Sequence, residues 1–167
     1  MSSSISEATP AAAGPARALR FIVLGGAVAA TCDITYALIY YPLRGVAPER
    51  VLQSVASGLL GKASFEGGAA SAALGLLLHY GICIVAASVF WLAARRLAWL
   101  VERPVPAGLL FGLCVYGFMN FVVLPLSAVP FTWRFVPLTV GTGLLVHMFG
   151  VGLPIALLAR RGQRGRV

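Results

Sequence analysis

Gly68 to Ala94 reads GAASAALGLLLHYGICIVAASVFWLAA, and apart from Tyr80 and Cys83 its one ionisable residue is His79. A helix needs ~20 apolar residues, at ~1.5 Å of rise each, to cross a hydrocarbon core ~30 Å thick. This stretch exceeds that length. A water-soluble core could not absorb it without regularly interleaved polar positions. Residues 18–41, 105–129 and 136–159 form three further runs of the same character. The expected fold is therefore all-α: a polytopic membrane protein with four transmembrane helices.

Composition agrees. The 167-residue chain is 59% hydrophobic and 11% charged, whereas soluble domains carry about a quarter charged residues. One membrane domain over 18–161 accounts for the length. Residues 1–17, mostly Ser, Ala, Pro and Gly, are expected to be a disordered tail, and 162–167 a basic one. Arg17 and Arg20 before an apolar stretch, with Ala27-Val28-Ala29 after it, have the outline of a signal peptide. The run continues to Tyr41, well past a signal's apolar core, so it is expected to be retained as a span. Cys32, Cys83 and Cys114 fall inside spans with no CxxC spacing; they are expected to be small packing residues.

The net charge of +8 does not point to nucleic acid. Its cations stand at span ends, where membrane topology requires them, and no basic stretch interleaved with aromatics lies outside the runs. Arg17, Arg20, Arg95, Arg96, Arg103, Arg160, Arg161, Arg164 and Arg166 fall on one side; Arg44, Arg50, Lys62 and Arg134 fall on the other. The richer side is expected to be cytoplasmic, which puts both termini inside. Trp91 and Trp99 are expected as interface anchors of the inner connection, and Trp133 lies in the short outer link.

Between the first two spans, Val51, Leu52, Val55, Ala56, Leu59, Leu60 and Ala63 share one helical stripe. Gln53, Ser54, Ser57, Gly61 and Lys62 lie opposite. An outer amphipathic helical segment is expected over about 48–66, lying on the membrane, dipping into it or capping the bundle. Small residues mark the packing faces: Gly108-x-x-x-Gly112, Gly25/Ala29, Gly26/Ala30 and Ser71/Gly75 have the spacing that lets backbones approach closely.

Asp33, His79, Asn120 and His147 stand one to each span, at similar depth. Each lies on the small-residue face of its helix: His79 with Gly75 and Cys83, His147 with Gly143 and Gly150, Asn120 with Tyr116 and Gly117. Asp33 shares its face with Gly26, Ala30, Tyr36 and Tyr40. A carboxylate at membrane depth must be protonated, paired or hydrated. With two histidines it forms the set used by proton relays and by divalent-metal sites, and which of these it would be stays open. The plainer role is helix-to-helix hydrogen bonding. Pro125 and Pro154 interrupt the last two spans, each freeing a carbonyl near the polar layer. Two histidines on separate spans are also the minimum for axial heme ligation, but no other residue adds to it and no cofactor is expected.

Four spans, a long segment after the first, His79 in the second, MNFVVLPLS from Met119 to Ser127, and a His147 span ending in Arg160-Arg161 together carry a resemblance. In layout, from Ala18 to Arg161, the chain resembles the YagU-like bacterial inner-membrane proteins. The resemblance implies a bacterial inner membrane and assigns no activity to any residue. No GxSxG, P-loop, HExxH or nucleotide fingerprint occurs, so an enzyme is not expected. The functional expectation is an inner-membrane protein binding protons, an ion or a small solute at Asp33, His79, Asn120 and His147. The alternative is a structural, assembly or stress-response subunit. Its expected partners are the lipid bilayer and either a second copy or another membrane protein.

Overall fold

The computed structural model describes residues 14–130 and 136–163. Residues 1–13 of the expected tail, Trp133 and Arg134 of the link, and Arg164 and Arg166 lie outside them. Within the described residues the chain is all-α, with four helices long and apolar enough to cross a membrane: Pro15–Arg44, Gly68–Ala94, Pro104–Leu126 and Pro137–Gln163. They make it a multi-pass membrane protein in architecture.

The first helix, α1 (Pro15–Tyr40), begins inside the stretch expected to be a tail, with Pro15 in its first turn. Proline suits that position because its missing N–H would have no helical partner there. A 3₁₀ turn at Pro42–Arg44 and Gly45 in a left-handed conformation end it. Then come α2 (Pro48–Leu60) and the long α3 (Gly68–Ala94), followed by a short α4 (Trp99–Glu102). The third span is α5 (Pro104–Phe118), a π-helical segment at Met119–Val123 and the single turn α6 (Leu124–Leu126). The fourth is α7 (Pro137–Val146), a π-helical segment at His147–Gly152 and α8 (Leu153–Gln163). Gly162 and Gln163, expected in the basic tail, belong to that last helix.

Both π segments have one cause. In each, the last amide before a proline reaches back five residues: Leu124 N–H to the Met119 carbonyl before Pro125, and Leu153 N–H to the Met148 carbonyl before Pro154. A proline ring clashes with the carbonyl four residues earlier, and the wider turn ahead of it relieves the clash.

The spans pack in an order different from the chain order. The first lies between the second and the fourth, and the fourth lies between the first and the third. The second and third meet at the arginine-rich end, where Phe90 and Phe111 rings touch at 5.0 Å. At the opposite end α2 sits between them, its Leu52 carbonyl pressed on Gly75 and its Gly58 carbonyl accepting the Ala128 N–H at 3.0 Å.

Burial is inverted relative to a soluble bundle. Ala29, Ala30, Ala87, Ala107 and Ala156 are buried, while Leu19, Leu77, Val85, Leu110 and Leu126 face outward. Hydrocarbon gives leucine no reason to leave the surface, so close backbone approach by small residues decides the contacts. α2 follows the same logic, and its burial cuts across the apolar stripe. Val51, Gln53, Ala56 and Ser57 are buried, and Leu59 and Leu60 are exposed. The polar side thus turns partly inward, with Gln53 Nε2 donating to the Gly68 carbonyl at 3.2 Å. Trp91 also differs from expectation: it is a core residue, 4% exposed and packed on Gly162, whereas Trp99 is exposed.

Candidate functional site

The site is assembled by glycines. A side chain on Gly26 would sit 2.6 Å from the Ile84 Cα, so only glycine lets α1 meet α3 this closely. At that crossing the His79 ring reaches Ala30 across the helix pair, 3.2 Å from its carbonyl oxygen. Gly112 lies against the His147 carbonyl, and Gly108 and Gly152 abut each other, which locks α5 onto the π segment. One turn beyond Gly112, Tyr116 packs on Gly143 and meets the His147 ring edge-on at 5.2 Å. Gly150 faces the Cys32 Cβ, next to Asp33 in the chain.

Asp33 is therefore centred between two imidazoles from two other spans. Its Oδ2 lies 3.7 Å from His79 Nε2 and its Oδ1 lies 3.6 Å from His147 Nδ1. The three side chains retain 12 to 19% of their exposure, neither dry core nor open surface. His147 Nδ1 is also 3.0 Å from the Gly143 carbonyl oxygen. A carbonyl oxygen only accepts, so the nitrogen facing it on each ring carries the hydrogen. Each N–H is thus donated to backbone, with the carboxylate alongside as a second, more distant acceptor.

Asn120 stands apart. Its Nδ2 donates to the Tyr116 carbonyl of its own helix at 2.8 Å, and it does not reach the carboxylate. The structure joins three of the four expected residues, with Asn120 linked to them only by way of Tyr116. Among the described residues, no group of three or more His, Cys, Asp or Glu is placed to hold a metal ion. The donor chemistry agrees, because the nitrogens nearest Asp33 present hydrogens where a metal requires lone pairs.

Above the cluster, towards Arg44, are contacts that sequence reading missed. Tyr36 Oη is 2.6 Å from Thr142 Oγ1, and Tyr40 Oη is 2.8 Å from Thr139 Oγ1. The Thr142 hydroxyl donates to the Leu138 carbonyl at 2.8 Å, so Tyr36 is the donor of its pair. The Arg44 guanidinium covers the Tyr40 ring at 3.7 Å and donates to the Tyr40 carbonyl at 3.2 Å. Tyr36 and Tyr40 were legible as neighbours of Asp33 on one face. Thr139 and Thr142 carried no signal beyond being hydroxyls in an apolar run.

No family model matches this chain, and no curated protein or solved structure matches it.

Proposed function

We propose that this protein takes up and releases protons at Asp33, His79 and His147 within a bacterial inner membrane, with its arginine-rich end in the cytoplasm. The observation that carries the reading is one carboxylate shared by imidazoles from two other spans, at 3.6 and 3.7 Å. An ionised Asp33 between neutral histidines leaves one uncompensated charge at membrane depth, which is costly. Adding one proton neutralises the group. An imidazole can accept that proton on its free nitrogen and release the N–H facing Asp33, so the proton crosses the ring without the ring turning over.

Support for the setting comes from charge asymmetry across the spans and from the layout shared with the YagU-like inner-membrane proteins. The role is non-enzymatic, with the bilayer as its first partner. Four spans leave little room for a complete alternating-access path in one copy, which favours a homo-oligomer or a membrane-protein partner. The rival reading, a structural or assembly subunit, draws on the backbone hydrogen bonds of His79, His147 and Asn120, which also hold helices together.

Asp33→Asn separates the two. The amide keeps shape and hydrogen bonding but cannot ionise. In liposomes containing a pH dye, proton flux should be present for the wild type and lost in D33N, with unchanged melting of the purified protein. A wild type without flux under imposed pH gradients, or a D33N variant that conducts normally, would overturn proton handling.

A further inference from the structure

The two halves of the fourth span are held very differently. In α8, Ile155, Ala156, Ala159, Gly162 and Gln163 are buried. Gly162 is wedged against Trp91 and Phe21, Gln163 donates to the Trp91 carbonyl at 3.3 Å, and Arg17 donates to the Arg161 carbonyl at 3.2 Å. In α7 the one buried residue is Gly143. An open groove of about 690 Å³ runs beside α7, lined from Pro137 to Met148 by this span alone. Between the halves lies the π segment His147–Gly152, followed by Pro154. A π turn with an adjoining proline is a place where a helix bends.

We propose that α7 is a gate to the Asp33 cluster, hinged at His147–Gly152 and latched to α1 by the Tyr36–Thr142 and Tyr40–Thr139 hydrogen bonds. The inference rests on reading the cluster as a protonatable site, and it adds the face from which that site is reached. Swinging α7 away parts the two latches and uncovers Asp33 towards Arg44. Towards the arginine-rich end the way is closed by backbone contact: Gly25 and Gly26 against the fourth and second spans, and Gly108 against Gly152. Arg44 holds Tyr40 in its latched position from above. The titratable groups around Asp33 are His79 and Cys83 from the second span, His147 from the fourth, and Tyr36 and Tyr41 from its own helix and the residue that ends it, with Tyr116 of the third span against the His147 ring.

The chain has two histidines, so ¹⁵N-histidine labelling reports on this cluster alone. The full-length protein would be placed in vesicles of one orientation, identified by protease access to a C-terminal tag, and the pH stepped on one face at a time. Both ring signals should follow the pH on the Arg44 face and ignore the other. Tyr36→Phe with Tyr40→Phe removes the latch hydroxyls and should speed that response about tenfold, the factor one or two hydrogen bonds of ordinary net strength control. Thr139→Ser with Thr142→Ser keeps both hydroxyls and should respond at the wild-type rate, which separates latching from general loss of packing. Signals that follow the arginine-rich face, both faces or neither would overturn the gate, as would a tyrosine double variant responding at the wild-type rate. One-sided titration in vesicles that show no net flux would overturn proton transfer and leave the gate standing.

Discussion

Asp33 draws its character from what its two neighbours can donate. Both ring nitrogens facing it are already engaged with backbone oxygens, at 3.2 and 3.0 Å, so neither gives Asp33 a short hydrogen bond of its own. Elsewhere single atoms carry sharp consequences. Ser64 Oγ is buried with no hydrogen-bond partner, while the Ser64 carbonyl accepts the Ser71 hydroxyl at 2.6 Å. An unpaired buried hydroxyl costs free energy, whereas a paired one contributes on the order of 1 kcal/mol. Ser64→Ala should therefore leave stability unchanged or raise it, and Ser71→Ala should lower it by about 1 kcal/mol, read from denaturant unfolding in micelles. Glycines divide in the same way. A Cβ on Gly112 would run into the His147 carbonyl, whereas one on Gly81 would meet nothing within 4 Å. Gly112→Ala should destabilise by roughly 1–3 kcal/mol, and Gly81→Ala should be neutral or stabilising by up to ~1 kcal/mol, because it removes backbone freedom from the unfolded chain. Equal effects at the two positions would contradict the close-approach account.

Among the elements, α2 and the π segments depart furthest from simple sequence patterns. The apolar stripe of α2 reads as a face for the membrane surface or for a bundle below it. The observed helix buries Gln53 and Ser57 against protein and leaves Leu59 65% exposed, with Gln53 and Ser57 finding backbone carbonyl partners there. The fourth span's π segment owes its place to Pro154, whose ring denies an α turn to the residues before it. Pro154→Ala restores an amide that can bond the Gly150 carbonyl in the α pattern. The segment should then tighten, turning His147 away from Asp33. The expected result is a folded protein with altered His147 ring signals and reduced proton flux. Wild-type signals in that variant would show that packing from Gly108 and Gly112, and not the proline, holds the π turn.

For the molecule as a whole, the described arginines Arg17, Arg20, Arg95, Arg96, Arg103, Arg160 and Arg161 gather at one end of the bundle, and Arg44 and Arg50 lie at the other. Reporter fusions after Arg96 and after Val167 should read cytoplasmic, and one after Arg50 external; an external C-terminus would reverse the assignment. Much of this level is legible in the chain by itself. The number of spans, their approximate limits and their helicity follow from hydrophobicity summed over a fixed length, which is a one-dimensional property. The small-residue faces at Gly26, Gly75, Gly108 and Gly112 are legible too, since helical periodicity alone aligns them. Partnership is not. Asp33 receives His79 and His147 while Asn120 stays on its own helix, Trp91 enters the core, and Thr139 and Thr142 pair with Tyr40 and Tyr36. These outcomes depend on which backbones come within touching distance and on the extra rotation a π turn puts into the fourth span. Sequence placed one polar residue in each of four spans; only the packing of the first span between the second and the fourth decided which three would meet.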